Sequence, residues 1–230
     1  MTRDTRYWVV VPAAGVGRRM GGEMPKQYLR LSGKRILDHT LTGLFRHPLI
    51  NAVYLALSED DPHWEACDYA NDPRVIRTPG GKERCYSVLN ALYRIADSAQ
   101  QDDWVLVHDA ARPCLSETDL NRLIENLLNH PTGGLLGVPV SDTLKRVSEN
   151  GAIEATISRE RLWRAFTPQM FRLGLLIHSL EDAIGQGRVV TDEASAMEIS
   201  GYRPLMIEGE ARNIKITRPE DLMLAKFYLG

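Results

Sequence analysis

The feature that most limits the fold lies near the start of the chain. Tyr7-Trp-Val-Val-Val11 is a continuous apolar run, stopped by Pro12 and followed by the small-residue stretch Ala13-Ala14-Gly15-Val16-Gly17. An apolar run without polar alternation does not suit a strand with one wet face. It suits a strand covered on both faces, as in a parallel sheet between two layers of helices. A loop of small residues leaving such a strand is where open α/β sheets receive ligands.

The rest of the chain keeps that rhythm. Strand-like runs recur at Ala52–Leu57, Val75–Thr78, Trp104–His108, Leu135–Val140 and Leu205–Ile207. Between and after them, helical spacing falls near Ile36–Phe45, Pro62–Ala70, Ser87–Ala96, Leu120–Leu128, Leu173–Ile184, Asp192–Ile199 and Pro219–Tyr228. Alternation of this kind predicts βαβ units and a mostly parallel, Rossmann-like sheet flanked by helices. One segment breaks it. Thr143–Ser148 and Ala152–Ser158 are β-prone and joined by Glu149-Asn150-Gly151, and Asn-Gly is a strong hairpin signal. A hairpin set into a βαβ series predicts a protruding arm, over about 142–159, on a single domain spanning residues 1–230.

Composition excludes several classes of function. With 28 basic and 30 acidic residues the net charge is −2, so the broad basic footprint of a nucleic-acid binder is missing. No apolar stretch nears the roughly 20 residues of a membrane helix, and Met1–Arg6 does not read as a signal or transit peptide. Cys67, Cys85 and Cys114 are widely spaced and form no CxxC pair. They read as reduced thiols of a cytoplasmic protein rather than a disulfide frame or zinc site.

Two loops carry the chemistry. Pro12-Ala-Ala-Gly-Val-Gly-Arg-Arg-Met20, with Pro25-Lys26, brings the cations Arg18, Arg19 and Lys26 to the carboxyl end of the first strand. Backbone N–H groups of small residues and nearby cations suit a phosphate. The dinucleotide fingerprint fails at its third position, Met20, and a Walker A reading from Gly17 meets Gly22-Glu23-Met24 where Gly-Lys-Ser/Thr is required. The second loop, His108-Asp109-Ala110-Ala111-Arg112-Pro113, follows the Trp104–His108 strand. An aspartate at a strand end can orient a metal ion or a substrate, and Arg112 can meet a phosphate. Alternatively, Asp109 and Arg112 pair to fix the loop. His108 has no assigned role at this level.

The first loop resembles the signature of nucleotidyltransferases of the GT-A-like fold. Further motifs follow in order: Gly80-Gly81-Lys-Glu-Arg84-Cys-Tyr-Ser87-Val88, Val107-His-Asp-Ala-Ala-Arg-Pro113, Asp142-Thr143-Leu-Lys145, Leu162-Trp163, Thr167-Pro-Gln169, Thr191-Asp-Glu-Ala194 and Asn213-Ile-Lys215 through Asp221. Together they resemble the 2-C-methyl-D-erythritol 4-phosphate cytidylyltransferase family over essentially the whole chain.

That resemblance implies an enzyme that makes CDP-methylerythritol and pyrophosphate from CTP and methylerythritol 4-phosphate, in non-mevalonate isoprenoid synthesis. It implies Arg19, Lys26, Lys215 and Asp109 as catalytic, with Mg²⁺ near Asp109. Pro12, Ala13, Ala14, Gly15, Gly17, Gly80, Gly81, Ser87 and Ala110 match the nucleotide pocket. Asp109, Arg112, Thr167, Thr191 and Lys215 match the acceptor side. Thr143 and Arg159, on the arm, match residues given to a neighbouring subunit in a homodimer. Lys82 departs from relatives that carry an acid there. Plainer readings stand beside these: Arg84 as a helix-end pair, Glu193 as a helix-start acid, Asp192 as an N-cap. The rival functions are transfer to another polyol phosphate such as ribitol 5-phosphate, a nucleotide-sugar pyrophosphorylase, and a non-catalytic nucleotide-binding regulator.

Overall fold

The computed structural model of the protein describes residues 6–15 and 24–230. β1 (Tyr7–Pro12) is followed by a small hairpin, β2 (Arg30–Leu31) and β3 (Lys34–Arg35), and by α1 (Ile36–Phe45). Next come β4 (Ile50–Leu57), β5 (Val75–Pro79), α2 (Arg84–Ala96), β6 (Trp104–Val107), α3 (Glu117–Leu127) and β7 (Gly133–Pro139). The chain continues through β8 (Leu144–Val147), β9 (Ile153–Ile157), β10 (Trp163–Arg172), α4 (Leu173–Gly185), α5 (Glu193–Ile199), β11 (Leu205–Glu208) and α6 (Glu220–Leu229).

Among the described residues, seven strands form the main sheet in the order β11-β7-β10-β6-β1-β4-β5. β1 runs parallel to β4 and β6, β4 to β5, and β7 to β11. The two sides of β1 explain its apolar run. Val9 and Val11 enter one core, with Leu37, Leu41 and Leu120, while Val10 enters the other, with Val88, Leu92 and Leu176.

The chain proceeds from β1 to β4 and β5 on one side, then crosses to β6 on the other. That reversal is a topological switch point, and it opens a crevice at the carboxyl ends of β1 and β6. The loop after β1 and the loop at His108–Arg112 both emerge there.

One expectation needs correction, and one strand has no counterpart in the sequence reading. Pro62–Ala70 is not a helix; it contains only the 3-10 turn Trp64–Ala66. Carboxylates compete for the backbone there: Asp61 accepts from the His63 N–H at 2.9 Å and Asp38 from the Asp68 N–H at 3.0 Å. Trp64 still packs in the core, which accounts for the helix-like apolar spacing. The strand without a counterpart is β10, a central strand antiparallel to both β6 and β7. Its pattern is broken by Pro168, which has no N–H for the ladder, and its register with β7 shifts between Ala165 and Gln169.

The hairpin forms as read. β8 and β9 pair antiparallel in a sheet of their own, and Gly151 takes a φ of +84° at the turn. The base of the arm is tied by Arg159, which donates to the Ser141 carbonyl.

Candidate active site

Two cavities meet at the switch point. The larger, about 460 Å³, is lined by Pro12–Gly15, Lys26, Gln27, Gly81–Arg84, Ser87, Asp109–Ala111 and Lys215. The smaller, about 190 Å³, is lined by Arg112, Ala165–Thr167, Gln169, Thr191 and Asp192. Arg84, Asp109 and Lys215 border both.

The wall of the larger cavity is built by close backbone approach. The Gly80 N–H donates to the Leu57 carbonyl at 2.6 Å, and a Cβ at Gly80 would lie 2.3 Å from the Ala14 Cβ. No larger residue fits there without moving the loop. The Gly81 N–H is held by the Ser87 hydroxyl at 2.9 Å. Gln27, unnoticed in the sequence beside Lys26, is buried and donates from Nε2 to the carbonyls of Ala13 (2.7 Å) and Gly15 (3.2 Å). Lys26 Nζ donates to the Ile216 carbonyl at 2.9 Å, which places its ammonium beside the segment carrying Lys215.

Asp109 is the electrostatic centre. Its Oδ2 lies 3.0 Å from Lys215 Nζ and 3.2 Å from Arg112 Nε, and its Oδ1 lies 3.3 Å from Arg84 Nε. Burial alone would raise this carboxyl's pKa, but attraction from Arg84, Lys215 and Arg112 prevails and holds it well below the usual carboxylate range. Burial by itself would lower the Arg84 pKa. Glu193, bonded to Arg84 at 2.5 and 3.1 Å, together with Asp109 reverses that and raises it, so the guanidinium stays charged. For Arg112 burial wins and the pKa is lowered, with Asp109 opposing. Arg112 also donates to the Asn213 carbonyl at 2.7 Å, and its guanidinium covers the Phe166 ring.

Among the residues expected from sequence, the larger cavity gathers Pro12, Ala13, Ala14, Gly15, Lys26, Gly81, Ser87, Asp109, Ala110 and Lys215. The smaller gathers Arg112, Thr167 and Thr191. Gly80 supports the wall from behind Ala14. Gly17, Arg18 and Arg19 lie outside the described residues. Thr143 and Arg159 sit exposed on the arm and line neither cavity. Asp192 does cap α5, accepting the Ser195 N–H at 2.9 Å. Lys82 borders the larger cavity with its ammonium over the Tyr86 ring. Sequence reasoning underrated Arg84 and Glu193. They are 109 positions apart, at the starts of α2 and α5, two helices that share one core, so no local signal joins them.

His108 is fully buried behind Asp109. Burial is the main cause that pushes its pKa down to about 4, so the ring is neutral. The folded value lies below the 6.5 of an unperturbed imidazole. The unfolded chain therefore takes up the proton first, and the stabilisation, complete above pH 6.5, is lost as pH falls toward 4. The buried imidazole should make the wild type about 2 kcal/mol less stable at pH 5 than at pH 7. Buried Asp38 and Asp119, whose pKa values are raised chiefly by burial, act in the opposite sense. The check is the difference in urea-unfolding free energy between pH 7 and 5 for wild type and His108→Gln. An unchanged pH slope in the variant would remove His108 from the explanation.

The donor set is not a metal centre of its own. Among the described residues no three His, Cys, Asp or Glu side chains converge, and both Asp109 oxygens face cations. A metal ion placed directly on Asp109 would compete with these cations for the carboxylate.

A crevice at the switch point of a mostly parallel sheet, walled by backbone on one side and by cations on the other, defines a nucleotide-binding transferase of the nucleotidyltransferase type. The family model of 2-C-methyl-D-erythritol 4-phosphate cytidylyltransferase matches residues 7–230. Proteins of that name from Pseudomonas putida (strain GB-1) and Vibrio vulnificus (strain YJ016) are each 52% identical to this chain, over 94% and 98% of it and 92% and 95% of their own lengths. A crystal structure of 4-diphosphocytidyl-2C-methyl-D-erythritol synthase superposes with a TM-score of 0.87 at 38% identity, covering both chains completely. The Francisella tularensis cytidylyltransferase gives 0.85 at 38% identity, over 97% of this chain and all of its own. The chain belongs to the 2-C-methyl-D-erythritol 4-phosphate cytidylyltransferase family.

Proposed function

We propose that the chain transfers the cytidylyl group of CTP to 2-C-methyl-D-erythritol 4-phosphate, releasing pyrophosphate, as a step of isoprenoid precursor synthesis. The observation that carries this reading is the wall of Arg84, Asp109 and Lys215 common to a larger, backbone-lined cavity and a smaller, arginine-lined one. CTP occupies the larger and the acceptor phosphate the smaller, so that the reacting groups meet at that wall.

The nucleophile is a phosphate oxygen. A phosphate monoester has a second pKa of about 6 and is largely dianionic at neutral pH, so it needs no general base. In keeping with this, among the described residues no histidine lines either cavity. The barrier is electrostatic, a dianion approaching a triphosphate, and positioned cations lower it. Lys26 and Lys215, with Arg19 from the first loop, neutralise charge on the α-phosphate and the leaving pyrophosphate. Arg112 holds the acceptor phosphate, with Thr167 and Thr191 at the same cavity. Asp109 keeps the cations in place and meets the acceptor's hydroxyls. A divalent ion such as Mg²⁺ would arrive with the triphosphate and keep phosphate and water ligands, as this hard ion prefers. The three free, buried thiols suit a reducing compartment such as the cytoplasm.

Pyrophosphate release from CTP, assayed with methylerythritol 4-phosphate and ribitol 5-phosphate in parallel, tests the assignment. Release with methylerythritol 4-phosphate alone is expected. Release with ribitol 5-phosphate alone would move the protein to the rival substrate, and release with neither would leave a binding protein. UTP should compete poorly, because reversing the donor–acceptor pattern at ring position 4 costs about 1–3 kcal/mol per buried unpaired group.

The same reading makes the protein a homodimer through its arm. A lone two-stranded hairpin is marginal in water. Here Val147 and Ile153 pair across the strands and remain 53% and 67% exposed, an apolar patch suited to a symmetric neighbour. Thr143 and Arg159 would then serve the neighbour's acceptor site, Arg159 by a bidentate grip on phosphate. Mixing Arg159→Ala with Lys26→Ala puts both lesions on one site of a mixed dimer and leaves the other intact. Activity should rise on mixing. Mixed dimers that form without regaining activity would show that Arg159 does not act across the interface.

A further inference from the structure

His108 touches neither cavity, yet it is bonded to the loop that serves both. Its Nε2 lies 3.2 Å from the Arg112 carbonyl. A carbonyl oxygen only accepts, so Nε2 carries the proton, and in the neutral ring Nδ1 is an acceptor. The Thr167 hydroxyl, 3.0 Å from Nδ1, therefore donates to it. That leaves the hydroxyl oxygen to accept, and it does so from the Asp109 N–H at 3.0 Å. The chain of bonds runs from the Asp109 backbone through Thr167 and the imidazole to the Arg112 backbone. It fixes both ends of the turn that carries the carboxylate and the guanidinium, and it pins that turn to β10. Both side chains in this chain of bonds, Thr167 and His108, are buried, so water does not readily replace a lost bond.

We propose that His108 is a positioning residue for the acceptor site: its ring spans the Asp109–Arg112 turn and sets the Asp109 carboxylate and the Arg112 guanidinium for the incoming sugar phosphate. A simple loop tether would need one bond; two bonds from opposite ends of one rigid ring set a spacing. The Thr167 hydroxyl takes part in the same chain, so its effect on the acceptor passes at least partly through Asp109.

The proposal rests on the reading that the smaller cavity receives the acceptor, and the experiment keeps the two apart. Full-length wild type, His108→Gln and His108→Phe are compared for turnover and for KM of each substrate. Glutamine can still reach the Arg112 carbonyl but gives up the ring's fixed span; phenylalanine keeps the ring and loses both bonds. The expected result is a graded loss of kcat/KM for methylerythritol 4-phosphate, about tenfold for glutamine and about a hundredfold for phenylalanine, as displacements on the order of 1 Å produce. The loss toward CTP should be distinctly smaller, since Asp109–Ala111 are shared but the rest of the larger cavity's wall, Pro12–Gly15 and Gly81, is not bonded to the ring. Equal losses toward both substrates, or none, would overturn the positioning role. A wild type that does not use methylerythritol 4-phosphate would instead overturn the functional reading. Should the variants fail to fold, ¹⁵N-histidine NMR of the wild type decides. A neutral Nε2–H tautomer whose signal moves on adding methylerythritol 4-phosphate, and not on adding CTP, is expected; an Nδ1–H tautomer or an unresponsive signal would refute the proposal.

Discussion

Lys26→Ala is expected to slow turnover by about 10²–10³-fold, equivalent to ~2.7–4 kcal/mol of transition-state stabilisation. The ammonium borders the larger cavity and is held by the Ile216 carbonyl, so its charge is aimed before substrate arrives. Preorganised charge matters most where charge develops, here on the α-phosphate and the departing pyrophosphate. The loss should fall mainly on kcat rather than on KM for CTP, because an interaction strengthened in the transition state is the one removed. Lys26→Gln, which can still donate to Ile216 but carries no charge, should lie much nearer alanine than wild type. Thermal unfolding should be little changed, since the side chain stands in a cavity wall and not in the core. Near-normal turnover in the alanine variant would end the assignment. A variant that does not fold would place Lys26 in the architecture instead.

Asp109→Asn should affect both stability and activity. The substitution preserves shape and removes a charge that faces Arg84, Arg112 and Lys215 together. Removing one partner of a buried ionic cluster leaves uncompensated charge, at a typical cost of about 3–5 kcal/mol. Arg84 keeps Glu193, so the loss falls chiefly on Arg112 and Lys215 and should come out at the lower end of that range. A polyanion supplies the missing charge. Pyrophosphate should therefore raise the unfolding midpoint of the variant more than that of wild type, by preferential binding to the folded state. Turnover should fall as well, since the cations that meet the phosphates lose their alignment. Unfolding free energies that agree within about 0.5 kcal/mol, with no added response to pyrophosphate, would contradict the central place given to this carboxylate.

Legibility from sequence followed the range of the interactions concerned. The alternation of strands and helices, the hairpin at Asn150-Gly151, the α5 cap at Asp192 and the loops at Pro12–Gly15 and His108–Arg112 are encoded within a few residues, and the structure has them. β10 escaped because Pro168 and a register shift interrupt its period, and because its place between β6 and β7 is set by long-range pairing, not by its own sequence. The stretch at Pro62–Ala70 misled for the opposite reason: its apolar spacing is real, but nearby carboxylates take its backbone N–H groups.

The sequence by itself determined the βαβ framework, since a buried apolar strand followed by a small-residue loop admits few other architectures. Through its ordered motifs it also determined the family, which the 52% identical relatives bear out. Only the tertiary structure decided how the charges are arranged. Arg84 meets Asp109 across 25 positions and Glu193 across 109, and Lys26 reaches the Ile216 carbonyl across 190. Periodicity is a local property that fixes which element forms and which face it buries. Which side chains of separate elements come within hydrogen-bond distance depends on strand order and on the crossing from β5 to β6, and that is settled only when the sheet closes.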